Sequence, residues 1–547
     1  LSRSVFPRKI LSSAAVLAAT ALALSACGGS NSKPEASKVS VDLANLATTT
    51  PRGTEAVDKV AWNLPYEPLS LDPMLGFNYA ENTVTANLCE SLMRMTPELG
   101  TEPGLAESVS APDDTTRVYK IRAGVTFWDG SPLTAEDVAY SLSRQTGNGG
   151  SYFADYFLNV ASVKVTGDRE VTVKLSKPDV LFEQAMASAA GAIVQKKAAE
   201  AGGKAFGTPQ GKLQCTGPFA LDKWTPGKSI ELSKNPAYWD SKLAPLVKKL
   251  SFSFIADEST AVNALRSGDI DGQYFYLPPA GLSQLQQSDK VTLTHGKSLV
   301  FWTLAATSKS GPFANPKVRE ALSLAIDRNA LAKVVFQDAA IPAPTLVGPD
   351  YWGYEKDAFA KAHAGFSAAP DFEKAKKILA EAGPQDGKIV LGVQGSSAVH
   401  EQTANVFQAA GTAIGLKVET KVIPVEQFGN LYFDPAARKG IDGFFTTYYG
   451  NFADPLDVYQ IFRTGAHGDY IGWNDADAQL NKAVGTTDKA ERAKLTIEAQ
   501  KLITEGNPRI PLAYEPNTLV QSKRISGATA SFAYLYYPWA ATIGGVK

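Results

Sequence analysis

From Arg117 to Ala123 polar and apolar side chains alternate, with Val118, Lys120 and Arg122 interleaved among Tyr119, Ile121 and Ala123, and this predicts a strand with one buried face. Asp129-Gly130 ends it. Thr134 then stands where a helix N-cap is wanted and Asp137 follows three residues on, a short-armed relative of the capping box. The helix that starts there places Val138, Ser141 and Leu142 on one face, with Tyr140 and Arg144 nearer the other. The same alternation in SVKVTGDREVTVKLS predicts a hairpin turning at Gly167-Asp168.

Before this stretch, the chain from Asp58 reads as a short strand, a Pro-rich loop and a helix over Asn82 to Met93. After it, Cys215 to Trp239 carries turn residues between short apolar runs and predicts β structure with tight loops. Thr260 to Asp271 reads as a helix stopped by Gly268. Further on, Val318, Leu322 and Ala325 share one helical face, and Phe372, Ala375 and Leu379 repeat the spacing. Lys388 to Val393, Lys417 to Val422 and Ile441 to Phe445 are strand candidates, and Glu491 to Glu505 is a further helix. Alternating helices and strands imply an α/β lobe.

The first 27 residues change the picture. Arg3, Arg8 and Lys9 form a positive head, Ile10 to Ala26 carry no charge, and Leu24-Ser25-Ala26 leads to Cys27. The uncharged run is 17 residues; at about 1.5 Å per residue it falls short of a hydrocarbon core of roughly 30 Å, so it reads as a targeting segment. Gly28 to about Gly53 is polar without sustained period, the pattern of a flexible tether.

With 44% hydrophobic and 20% charged residues over 547, the chain has enough apolar material for two or three domains. Its net charge of −1 and lack of a basic stripe give no footprint for nucleic acid. Catalytic signatures are missing: His295, His363, His400 and His467 include no pair at zinc-binding helical spacing, and no GxSxG elbow occurs. Gly227-Lys228-Ser229 imitates the end of a phosphate loop, but Asp222 stands where the first glycine is required. No metal or cofactor is expected. Cys89 and Cys215 remain as an even pair, open to a disulfide or to two buried thiols.

Gly104-Leu105-Ala106-Glu107-Ser108 followed by FWDGSPLTAEDV closely resembles the signature of the family 5 solute-binding proteins of ABC importers, which include the oligopeptide and dipeptide receptors. The likeness spans about residues 58 to 540 and is sharp again at Cys215 to Trp224. It implies a two-lobed α/β clamp of the type II periplasmic binding-protein class with an inserted domain. Residues 1–26 would be a lipoprotein signal peptide and 27–57 a tether. Residues 58–92, 200–300 and 511–547 would form the first lobe, 93–199 the inserted domain and 301–510 the second lobe. Pro508 to Tyr514 would return the chain to the first lobe, and the two crossings would make a hinge.

On the same resemblance, Cys27 would carry a diacylglyceryl group and hold a monomeric receptor on the outer face of the cytoplasmic membrane. The receptor would close on a peptide or another small solute and dock on the importer's permease subunits, without chemistry on the ligand. Candidate ligand contacts are Asn78, Tyr79 and Asn82 in the opening loop, Tyr152 and Phe153 in the inserted domain, and Trp302, Thr447, Tyr448, Tyr449, Asn451, Phe452 and Asp454 in the second lobe. In peptide-binding relatives an acid four places before the proline of the 446–455 loop pairs with the ligand's α-amino group. Here Asn451 holds that place, with Asp454 nearby, and Phe445 stands where an oligopeptide receptor has an arginine for the ligand carboxylate. Those departures leave two other readings open: a receptor for an oligosaccharide, metal chelate or other solute, or an extracytoplasmic hydrolase or peptide-holding chaperone.

Overall fold

The computed structural model describes residues 41, 45–146, 150–274, 279–466 and 468–547; Cys27, the expected signal segment, most of the expected tether and His467 lie outside them. Among the described residues, two long antiparallel strands, Val291–Ala306 and Arg509–Ser522, run side by side from one half of the molecule to the other. On one flank the sheet continues through Gly443–Tyr449, Ile389–Gln394 and Val418–Ile423. On the other it continues through Gly272–Tyr274, Val57–Leu64, Val247–Phe254, Ser229–Lys234 and Phe219–Thr225. The register of the two long strands breaks between Gly296 and Val300. The expected crossing points at 300 and 510 fall on these two strands, close to that break.

The hydrophobic pattern explains the change along the first long strand. Its early residues are only partly covered, whereas Leu299 to Ala306 are buried on both faces. Trp302 and Leu304 join the core around helix Pro316–Ala325 and helix Ala398–Ile414, while Ala305 faces the opposite cluster with Phe444 and Leu431. Gly296 is required by a close approach, since a Cβ there would meet the Ala530 carbonyl oxygen at 2.0 Å.

The inserted segment carries its own antiparallel sheet, ordered Ala106–Asp113, Thr116–Ile121, Glu170–Leu175, Val160–Gly167. The expected capping box forms: Asp137 N–H donates to Thr134 Oγ1 at 3.2 Å, and Thr134 N–H to Asp137 Oδ2 at 3.0 Å. Helix Ala135–Arg144 ends with Arg144 paired to the buried Asp72 of the opening loop. Helix Glu258–Ser267 stops at Gly268 with φ 89°, a left-handed C-cap. Gly227-Lys228-Ser229 forms the turn of a hairpin, consistent with its missing glycine.

Two expectations are corrected. The opening helix is Tyr79–Thr85, earlier and shorter than Asn82 to Met93, because Asn78 caps it and the chain then turns to bond Leu88 and Asn87 to Gly217 and Phe219. The tether does not extend to residue 57. Ala47 N–H donates to the His295 carbonyl and Lys297 N–H to the Ala47 carbonyl, so residues 47–57 are held to the body. Of the two alternatives for the cysteines the disulfide is the one present: Cys89 and Cys215 are joined, with Cα atoms 4.9 Å apart. The aromatic tail Phe532 to Ala540 is buried, with Trp539 against Trp62, Phe252 and Tyr274.

Candidate ligand-binding cleft

Tyr449, Val300 and Glu515 lie opposite one another across three adjacent strands, so their side chains share one face beside the register break at Gly296 to Val300. The capped helix Tyr79–Thr85 approaches Tyr449 from the other side. Asn78 Oδ1 accepts from Tyr79 N–H at 2.9 Å, which fixes the start of the helix and the direction of Tyr79. Tyr79 Oη donates to Thr447 Oγ1 at 3.4 Å, its ring lies 5.1 Å from that of Tyr449, and Tyr449 Oη donates to the Phe77 carbonyl at 2.6 Å. At the rim Phe77, Tyr152 and Phe433 form a mutual aromatic cluster at 4.3 to 5.7 Å. Apolar walls with a few polar groups are the usual makeup of a solute site between lobes.

The strand Gly443–Tyr449 is paired along its whole length with Val291–Ala306. On its other edge only Gly443 and Phe444 pair with Ile389–Gln394. Among the described residues, no strand pairs with that outer edge from Phe445 to Tyr449.

The loop that follows is closed on itself. Asn451 Nδ2 donates to Tyr156 Oη at 2.7 Å, and its Oδ1 accepts from Tyr536 Oη. Asn451 therefore links the inserted segment and the C-terminal tail. Asp457, which the sequence did not single out, accepts from Tyr156 Oη, from Asn451 N–H at 2.6 Å and from Gln460 Nε2 at 3.0 Å. Burial pushes its carboxyl up to about 7 despite those donors. Asp454 caps helix Pro455–Tyr459 through Leu456 N–H at 2.9 Å and accepts from Gln184 Nε2 at 2.9 Å; burial raises its pKa also.

Of the proposed contacts, Tyr79 meets Thr447 and Tyr449, with Asn78 setting its direction, while Tyr152 meets Phe77 and Phe433 at the rim. Tyr448 lies beside the Arg509 guanidinium, 5.0 Å from ring centre to carbon. Phe153, Phe452 and Asn82 are buried, Asn82 donating to the Gly76 carbonyl at 2.7 Å. Trp302 is buried with its Nε1 donating to Thr403 Oγ1 at 3.2 Å, and Phe445 packs in the same core against Phe407.

Two more acids were missed. Glu81, on the capped helix, has Oε1 accepting from Leu69 N–H at 3.2 Å, while its buried Oε2 has no partner; burial pushes it up to about 7. Glu515 has a buried Oε1 without any partner, and burial alone pushes it up to about 8. Neither had a sequence signal, since one orphan oxygen depends on groups brought in from elsewhere in the chain. No group of three or more His, Cys, Asp or Glu able to hold a metal occurs among the described residues, and no helix there is long and apolar enough to cross a membrane.

Residues 100–470 match the sequence model of bacterial extracellular solute-binding proteins, family 5 Middle, which is more than half of the chain. The chain belongs to that family. Its similarity to the dipeptide-binding protein DppE of Bacillus subtilis strain 168 is 26% identity over 499 residues, covering 87% of this chain and 90% of that protein. With the oligopeptide-binding protein OppA of the same organism it shares 27% identity over 540 residues, covering 92% and 94%. Among solved structures, AgaA of A. tumefaciens R10 in complex with agropinic acid superimposes with a TM-score of 0.77 at 24% identity, covering 89% of this chain and 99% of that one. The fold is thus the two-lobed type II binding-protein clamp with an inserted domain, and the family is one of extracytoplasmic solute-binding proteins rather than enzymes.

Proposed function

We propose that this family 5 protein is the receptor of an ABC importer, capturing short peptides between its lobes and presenting them to the permease. The unpaired outer edge of Phe445 to Tyr449 carries the reading. An extended peptide added there would gain main-chain hydrogen bonds independent of its side chains, with aromatic walls accommodating varied residues. Dipeptide and oligopeptide binding by the similar proteins DppE and OppA supports it. Closure would turn on the irregular ribbon at Gly296 to Val300, with a ligand that touches both lobes favouring the closed form through its differential affinity. Anchoring through a lipid on Cys27, and action as a monomer, complete the proposal.

Asn451 favours a second reading. It lacks charge and is already bonded to Tyr156 and Tyr536, so a non-peptide solute, as agropinic acid is for AgaA, is the alternative. Native mass spectrometry of the protein as purified, then denaturation and identification of released small molecules, separates the two. A spread of short peptides supports the first reading, and a single non-peptide species replaces it with the second.

A further inference from the structure

Six arginines are buried among the described residues, and they differ in what meets their N–H groups. Arg94 pairs with Glu90 and Asp240, and Arg117 with Glu183. Arg319 donates to the carbonyls of Phe313, Ala314, Gly506 and Asn507, Arg328 to those of Ser323 and Pro511, and Arg492 to that of Thr486. Among the described residues Arg509 has no such acceptor. It is 3% exposed, its Nε is shut off from solvent without a partner, and no carboxylate there forms an ion pair with it. A guanidinium stays charged and carries five donors, so leaving them unmet in a buried position is costly. Stacking on a ring offsets only part of that cost.

The surroundings of Arg509 are aromatic. Its guanidinium carbon lies 5.0 Å from the centre of the Tyr448 ring and 5.6 Å from that of Tyr470, and Arg438 brings a second guanidinium to 4.5 Å from Tyr470. Tyr432, its hydroxyl bonded to Thr446 Oγ1 at 2.7 Å, belongs to the same group. Burial raises the pKa of Tyr432 and Tyr448, and the charge on Arg509 opposes that rise in both, so one guanidinium serves both hydroxyls. Of the acids acting on Tyr448, Asp457 is occupied by Tyr156, Asn451 N–H and Gln460, and neither it nor Asp155 forms an ion pair with Arg509. Arg509 and Phe444 both lie opposite Ala305, so they share a sheet face with Thr446 and Tyr448, the reverse of the face of Thr447 and Tyr449. A peptide paired with the outer edge of Phe445 to Tyr449 would turn every second side chain to the face of Arg509.

We propose that Arg509 binds an anionic side chain of the ligand, and that the receptor thereby prefers acidic peptides. This rests on the peptide reading and concerns a side-chain group, not either terminus of the ligand. A side-chain carboxylate takes two parallel N–H bonds from the planar fork and supplies the counter-charge that the protein itself does not. The rings of Tyr448 and Tyr470 orient the fork by stacking and keep the pair in a poorly solvated setting, where the attraction is stronger than in water. Arg438, with Nη1 held by the Leu431 carbonyl at 2.7 Å, adds positive potential beside Tyr470.

The test uses calorimetric titration of the full chain, wild type and Arg509→Gln, with alanyl-glutamyl-alanine, alanyl-glutaminyl-alanine and glutarate. The two tripeptides differ only in the charge of one side chain, so main-chain and terminal contacts cancel between them. Circular dichroism and thermal melts first establish that the variant folds; if it does not, Arg509→Lys, which keeps the charge and loses the fork, replaces it. The expected result is that the wild type binds the glutamyl peptide about 10-fold or more tighter than the glutaminyl one, a charged hydrogen-bonded pair being gained. The preference should fall to within about 2-fold in Arg509→Gln, and by at least about 3-fold in Arg509→Lys. Equal binding of the two peptides by the wild type, or a preference that survives the substitution, overturns the role of Arg509 and leaves the peptide reading standing. If neither peptide binds but glutarate does, and only to the wild type, the peptide reading falls and the anion pocket stands. Glutarate alone binding to both proteins equally, or no binding of any of the three, overturns both.

Discussion

The loop around Asn451 and the long strand around Glu515 both shield carboxyl oxygens from solvent, yet they treat them in opposite ways. In the loop, Asp457 collects a tyrosine hydroxyl, a backbone N–H and an amide, and Asp454 caps a helix while holding Gln184. Such acids bind parts of the protein to one another. On the long strand Arg509–Ser522, Glu515 has a buried Oε1 that no group among the described residues satisfies. Burial raises the pKa in all three, so burial by itself does not tell a tied acid from an untied one. The complement of hydrogen-bond partners does.

The largest effect is expected where that complement is fullest. Asp457→Ala leaves Tyr156, Asn451 N–H and Gln460 facing a void, and should lower unfolding free energy by about 3 kcal/mol, as read from denaturant titration. A variant as stable as wild type would erase the distinction between the two regions. Asn451→Asp restores the acid of the peptide-binding relatives, but beside Asp457 and without the donor to Tyr156. We expect a loss of about 1 to 2 kcal/mol at neutral pH that shrinks in acid, and no gain in preference for a free amino terminus. A gain in that preference would show that the loop serves recognition as well as structure.

The smallest effect concerns pH. Glu515 is raised above its ordinary value in the folded state, so unliganded folded protein retains a proton that the unfolded chain loses. Its contribution is intact below the unfolded carboxyl range near 4.5 and declines as pH rises toward about 8. Glu515→Gln should therefore match wild type near pH 4 and exceed it near pH 8 in thermal melts. Identical pH profiles for the two proteins would show that the carboxyl is not held in the buried state described.

Much of the scaffold was legible along the chain. Thr134 and Asp137 predicted their capping box, Gly268 its helix stop, and Gly167-Asp168 its hairpin, because each signal is complete within a few residues. The opening helix was placed too late, since its end is set by hydrogen bonds to Gly217 and Phe219, more than a hundred residues away. The candidate cleft was legible only in part: Tyr79, Thr447 and Tyr449 meet across it, whereas Phe153, Phe452 and Asn82 are buried and Asn451 is committed to Tyr156 and Tyr536.

The sequence by itself determined the family, through GLAES and FWDGSPLTAEDV, and with it the clamp. It also determined the local elements, whose periodicity and caps are properties of neighbouring residues. Tertiary structure alone decided which acids are spent and which are free. A carboxyl's role depends on the donors that distant segments bring within about 3 Å, and Tyr156, Gln184 and Tyr536 reach the 451–457 loop from elements some 85 to 300 residues away while none among the described residues reaches Glu515 Oε1.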